Sequence, residues 1–300
     1  MRLQGKRIIV TGSDGFVGSH LVARLRQEKA EVISVDITGG DDVTDWEQVK
    51  DYKDIDVICH LAAKTYVPAV VEGPREAYLV NLIGTLNMLE VGRRNKIKNF
   101  VFASSYVYGH PEYIPVNEEH PINPINPYSR SKALGEQLCR AYYQDYGLRC
   151  MVIRAFNIYG EGQSDNFLIP FILKQIPSGK IELKDPEPRR DFLYIKDAVE
   201  AYVRAIEYSG SGFEIFNIGS GVSYSVNEIV TRTIALSGEK VPVRYFHQRR
   251  QNEVLNTVAD ITKAKEKLGW KPSVSIEEGL SNIIQRTLTH RLSDSDQRAH

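Results

Sequence analysis

Tyr128 and Lys132 stand four residues apart in Pro127-Tyr-Ser-Arg-Ser-Lys132. At i and i+4 they share one face of a helix, where an ammonium can hold a phenol oxygen close to phenolate. A free phenol has a pKa of about 10, so a base working near neutral pH must shift by roughly 3 units, or about 4 kcal/mol. One cation about 4 Å away at an effective dielectric of about 20 supplies roughly that much. Ser104 lies upstream of the pair, and a glycine-rich turn, Thr11-Gly-Ser-Asp-Gly-Phe-Val-Gly18, opens the chain. An isolated YxxxK is more often a surface tyrosine beside a solvated lysine. The elements that position the pair therefore decide its meaning.

Arg7-Ile-Ile-Val-Thr11 is a short apolar run of strand type that breaks into Gly12, Gly15 and Gly18. It continues in a helical pattern through Phe16, Val17, Leu21, Val22 and Leu25. Strand, glycine turn and helix N-terminus together make an anion site, because backbone N–H groups converge on a pyrophosphate. Glu31-Val-Ile-Ser-Val-Asp36 reads as the next strand and ends in an acid. A carboxylate there accepts hydrogen bonds from a ribose diol and repels a 2′-phosphate, which favours NAD over NADP. The spacing is GxxGxxG, one residue wider than the GxGxxG fingerprint.

Further strands read at Asp56-Val-Ile-Cys-His-Leu-Ala-Ala63, Asn99-Phe-Val-Phe-Ala-Ser-Ser105 and Cys150-Met-Val-Ile-Arg-Ala-Phe156, with helical stretches at about 72–95 and 128–146 between them. Apolar strands separated by amphipathic helices mean an α/β fold, a doubly wound parallel sheet covered on both faces. The second half is more mixed. Ser225-Val-Asn-Glu228 and Ser275-Ile-Glu-Glu278 are capping boxes, and Gly269 with Pro272 closes another helix after Leu268. Proline-rich stretches at 111–127 and 185–190 read as loops near the site, and the polar tail from Ser293 as disordered.

The chain has 300 residues, 42% of them hydrophobic, with 38 basic and 38 acidic side chains. That balance indicates no nucleic-acid or anionic-membrane surface, so an anionic ligand must be held by a few placed arginines. Cys59, Cys139 and Cys150 lack metal or disulfide spacing and read as reduced thiols of a cytoplasmic protein. His60 sits in a buried strand and reads as structural, with no metal-ligand company for any histidine. Neither a signal peptide nor a membrane span is expected.

The chain resembles the extended short-chain dehydrogenase/reductases, a family of nucleotide-sugar epimerases, dehydratases and reductases. The likeness runs from residue 7 to about 285. It rests on the glycine turn, His60-Leu-Ala-Ala63, Asn81-Leu-Ile-Gly-Thr85, Ser104-Ser-Tyr-Val-Tyr-Gly109, the Tyr128 motif, Arg154-Ala-Phe-Asn-Ile-Tyr-Gly160, Arg190-Asp-Phe192 and Phe216-Asn-Ile-Gly-Ser-Gly221. The resemblance implies a Rossmann NAD-binding domain over 1–157, completed by about 191–220. A smaller mixed α/β substrate-binding lobe would take 158–190 and 221–292. Gly12, Gly15, Phe16, Val17, Gly18 and Asp36 would hold the cofactor diphosphate and adenosine ribose. Asp42 and Val43 would flank the adenine, while Leu61, Ala62, Ala63, Asn81 and Phe156 line the rest. Ser104 and Tyr128 would touch the reacting sugar hydroxyl, and Lys132 would bind the nicotinamide ribose and tune Tyr128. Ser105, Asn157, Leu168, Arg190, Arg250 and Glu253 would hold the substrate, the arginines at its diphosphate.

In the same family, dehydratases carry an Asp-Glu pair directly after the catalytic serine or threonine, and decarboxylases tend to hold a glutamate there. Here those positions are Ser105 and Tyr106, neither a useful acid or base near neutral pH. What remains is a C4 epimerase of a nucleotide-diphosphate sugar working through a transient 4-keto intermediate, or a C4 ketoreductase. Asp36, which favours NAD(H) recycled within the site, points to the epimerase. The alternatives are an NAD(P)H-dependent 4-ketoreductase and a non-enzymatic NAD-binding regulator, though such regulators commonly lose the tyrosine or lysine kept here. The helices near 76–92 and 128–146 carry apolar residues on more than one side, which asks for a partner beyond the sheet. Relatives pair these helices across a two-fold axis, so a homodimer is expected.

Overall fold

The computed structural model describes residues 3–210, 212–250 and 252–286; the tail expected from Ser293 lies outside them. Six parallel strands build the main sheet: β1 Arg7–Thr11, β2 Glu31–Val35, β3 Val57–His60, β4 Asn99–Ser105, β5 Cys150–Ala155 and, from the second half, Phe213–Ile218 (β9). Their order is β2-β1-β3-β4-β5-β9, every neighbouring pair parallel. From β1 the chain runs out to β2, then crosses back over β1 to β3. The carboxyl ends of β1 and β3 thus flank the switch point, where doubly wound sheets bind ligands.

Each face of the sheet is covered. α1 Phe16–Gln27 and α8 Ile195–Glu207 pack together on one side. On the other side α5 Gly84–Asn95 packs against α6 Pro127–Tyr146. Alternation along β4 divides the two cores: Val101 joins the first, whereas Phe100 and Phe102 join the second. Short α2 Trp46–Val49 follows β2. The helical stretch expected over 72–95 is broken. α3 Val67–Glu72 stops at Gly73, and α4 Pro74–Tyr78 passes through a π-helical turn, Leu79–Ile83, into α5.

A smaller layer follows. β6 Asn157–Tyr159 begins one residue after β5, so the chain passes between sheets without a loop. It pairs with β8 Arg189–Tyr194, which pairs in turn with β10 Ser223–Ser225. β7 Ile181–Leu183 pairs with β11 Val243–Tyr245, and α7 Leu168–Gln175 packs on α9 Val226–Ser237. The Ser225–Glu228 capping box starts α9. Ser275 caps a last helix at 276–286 through the Glu278 N–H, and Gly269 closes the turn of Ala264–Leu268 in the left-handed region. Buried Asp191 joins the two sheets. It accepts hydrogen bonds from the backbone N–H of Ser220, Gly221 and Ala259 at 2.6, 3.0 and 3.0 Å, and from the Ser220 hydroxyl at 2.7 Å.

Candidate active site

The glycine turn is a cradle that side chains would fill. A Cβ on Gly18 would lie 1.9 Å from the Gly12 carbonyl oxygen, and one on Gly12, at φ +67°, would lie 2.8 Å from the Ala62 nitrogen. α1 starts at Phe16 with no side chain capping its first N–H groups, which leaves them for an anion. Thr11 Oγ1 accepts from the N–H of Leu61 and Ala62, both at 3.1 Å, and so seats the loop after β3 against the turn. At the end of β2, Asp36 accepts from the Asp14 N–H at 3.0 Å. Backbone donors for a pyrophosphate and a carboxylate for a ribose thus sit side by side, as a dinucleotide requires.

Other expected cofactor residues fall differently. Asp42 is half-buried and accepts from the N–H and hydroxyl of Thr44, each at 2.8 Å. The Val43 side chain is packed in the core against Gly84, so only its backbone is left for an adenine. Asn81 is a tie. It accepts from the Lys64 N–H at 2.8 Å and donates to the Lys64 carbonyl at 3.2 Å and the Ser131 hydroxyl at 2.8 Å. The π-helical turn carries it there, pinning the loop after β3 to α6. His60 lies between the Thr11 and Thr85 hydroxyls, with burial holding its pKa down at about 3, and is structural.

Asn126 and Ser129 form a reciprocal cap on α6, with Pro127 in the first turn; this fixes where Tyr128 leaves the helix. Tyr128, Lys132 and Glu136 follow at i, i+4 and i+8 on one face, with Lys132 and Glu136 fully buried. Burial pushes the Tyr128 phenol up, and a hydrogen bond from Ser105 draws it back. Burial also pushes the Lys132 ammonium down to about 8, against the pull of Cys139 and Glu136. Its nitrogen lies over the Phe102 ring, 5.1 Å from the centroid. Desolvation therefore dominates at the phenol.

Two serines at the end of β4, Ser104 and Ser105, line one cavity with Tyr128. Side chains alternate along a strand, so Ser104 follows Phe100 and Phe102 toward α6. Its hydroxyl is buried and donates to Glu136 Oε1 at 2.5 Å. Glu136 in turn takes two prongs of Arg154, Nε to Oε1 at 2.9 Å and Nη2 to Oε2 at 2.6 Å. Arg154 also donates to the Tyr108 hydroxyl at 2.9 Å, and Tyr108 donates to Asn217 at 2.6 Å. Ser104, expected at the reacting hydroxyl, joins this buried network and also lines the cavity that holds Tyr128. Counted from Ser105, the next two residues are Tyr106 and Val107, so no acid follows the serine in either register.

Ser104, Ser105, Tyr128 and Lys132 open into a cavity of about 770 Å³, which Phe16, Val17, Leu61, Phe156, Asn157 and Leu168 also line. Arg190, Arg250 and Glu253 are grouped in its wall. Arg190 Nη1 donates to the Arg189 and Val254 carbonyls at 2.8 and 2.7 Å, and Nη2 pairs with Glu253. Its fork is therefore largely taken, whereas Arg250 is exposed. Phe167, also in the lining, meets the Tyr66 ring edge-on at 6.3 Å. Thr257 is one of the cavity residues that sequence patterning does not single out. It is 3% exposed, and its hydroxyl has no hydrogen-bond partner among the described residues. The signal was a hydroxyl at a buried position between Val254 and Ala259, visible only once their burial is known.

Comparison with known proteins agrees with this geometry. A family model described as the NAD dependent epimerase/dehydratase family matches residues 8–219. UDP-glucose 4-epimerase of Mycolicibacterium smegmatis is 31% identical over 307 residues, covering 93% of this chain and 97% of its own. GDP-6-deoxy-D-mannose reductase of Pseudomonas aeruginosa is 30% identical over 293 residues, covering 93% and 96%. UDP-glucose 4-epimerase of Thermus thermophilus, solved in complex with NAD, superposes with a TM-score of 0.84 at 28% identity, over 93% of this chain and 98% of that one. With the glycine cradle, the acid ending β2 and the YxxxK helix in one fold, the chain belongs to the NAD-dependent epimerase/dehydratase family, within the extended short-chain dehydrogenase/reductases.

Proposed function

We propose that the protein interconverts the C4 epimers of a nucleotide-diphosphate sugar. The observation that carries this reading is that Ser105, Tyr128 and Lys132 line one cavity and that no carboxylate follows the serine. Ser105 and Tyr128 receive the C4 hydroxyl, and Tyr128 takes its proton as the carbon is oxidised. When bound, oxidised NAD supplies the hydride acceptor and a positive charge that favours phenolate. Lys132 holds the nicotinamide ribose. After the 4-keto sugar turns about its diphosphate link, Tyr128 returns the proton to the other epimer. A volume of about 770 Å³ lies in the range of small-molecule sites, roughly 300–1,000 Å³. Arg250 and the free Thr257 hydroxyl offer donors to the substrate, and Arg190 with Glu253 braces that wall. Asp36 supports recycling of NAD within the site.

A 4-ketoreductase is the second reading, supported by the reductase relative and by Phe167, an apolar residue in the cavity lining. Purified protein incubated with a panel of UDP-, dTDP-, GDP- and CDP-sugars and no added cofactor separates the two by NMR. Isomers without added nicotinamide are expected. Product only from a 4-keto sugar with added NAD(P)H would replace the epimerase by the reductase.

A further inference from the structure

The acid ending β2 does not act alone at the ribose edge. Asp36 Oδ2 accepts the Asp14 N–H at 3.0 Å, and Oδ1 accepts the Thr38 N–H at 3.0 Å. The Thr38 hydroxyl lies 2.9 Å from Asp36 Oδ1 and 2.6 Å from Asp14 Oδ2. The Ser13 hydroxyl reaches the other Asp14 oxygen only at 3.5 Å. A hydroxyl has one proton to give, and the shorter contact draws it to Asp14. Each Asp36 oxygen then keeps one lone pair for a ribose hydroxyl. Were Asp14 absent, the same proton would turn to Asp36 and occupy one of those places. Asp14 is also exposed, inside the glycine turn, and carries its own negative charge toward the edge that a 2′-phosphate would occupy.

We infer that Asp14 is a second cofactor-specifying residue, which acts through Thr38 to keep Asp36 open to the ribose diol and adds a repulsive charge against NADP. The inference stands on the NAD cradle and holds whichever sugar is turned over.

Calorimetric titration of nucleotide-stripped protein with NAD and NADP tests it. Asp14→Asn, which loses the charge and keeps the acceptor, is expected to cut the NAD preference by about sevenfold. That is the effect of one charge on a phosphate of roughly two charges about 7 Å away in water. Asp14→Ala should in addition weaken NAD itself severalfold, and Thr38→Val in the Asp14→Ala background should restore part of that loss. A preference within twofold of the parent in both Asp14 variants would overturn the inference. So would an unchanged preference in Asp36→Ala, because the two carboxylates would then not face the ribose. These are binding readouts, so they stand or fall apart from the sugar panel.

Discussion

Burial works against both members of the Tyr128–Lys132 pair, and each effect can be measured. Lys132 titrates near 8 in the folded chain and near 10.4 when unfolded. Between those values the unfolded chain holds a proton that the folded chain has lost. Stability therefore rises with pH across that window, by up to about 3 kcal/mol. Denaturant unfolding at pH 7 and pH 9.5 should show this gain in the parent and not in Lys132→Met; equal pH slopes would contradict it. Tyr128→Phe should remove about 10²–10⁴ of turnover, the usual worth of a general acid–base, with substrate still bound in calorimetry. Ser105→Ala should lose more turnover than Ser104→Ala, and the reverse order would return the catalytic hydroxyl to Ser104. That Tyr128 and Lys132 share one helix face was legible from their spacing, and their meaning only from the motifs around them. Which of two adjacent serines reaches Glu136 was not legible, because that depends on the pleat phase of β4. The phase shows itself only where Phe100 and Phe102 are known to share a core.

At the scale of elements, α6 is more than the carrier of a tyrosine and a lysine. Its third buried member, Glu136, locks β4 and β5 to the helix through Ser104 and Arg154. Glu136→Gln leaves the Arg154 guanidinium buried without its charge partner, a change that costs about 3–5 kcal/mol. Chemical denaturation should report a loss of that size; a loss below about 1 kcal/mol, typical of exposed pairs, would mean the pair is solvated. An arginine inside the apolar strand Cys150–Ala155 was the visible sign of this network. Its partner was not visible, since a glutamate four residues after a lysine reads as an ordinary solvated helix pair. The first five strands and their parallel pairing followed from apolar runs between amphipathic helices, whereas β9 and the strands of the smaller layer did not. The π-helical turn at Leu79–Ile83 did not, because the helical period persists through it while the extra residue rotates Asn81 toward Lys64 and Ser131.

The whole molecule still presents an apolar stripe. Leu79, Ile83 and Leu86 are 37–39% exposed at helical spacing, and Leu134 on the neighbouring α6 is 43% exposed. Leu138, by contrast, packs toward the core. The homodimer proposed across these helices should sediment as twice 34.0 kDa, and Leu86→Glu with Leu134→Glu should split it without unfolding. A clean monomer of the parent at micromolar concentration would end that proposal. Asp191 carries a last consequence. Its carboxylate clamps β8 of the small sheet to the chain leaving β9 of the large one and to Ala259, beside the cavity wall. β5 and β6 are one nearly continuous run. The layers are welded rather than hinged, so the cleft stands ready before any sugar arrives. Heating should accordingly give one cooperative melting transition, and limited digestion should leave no protease-resistant half behind.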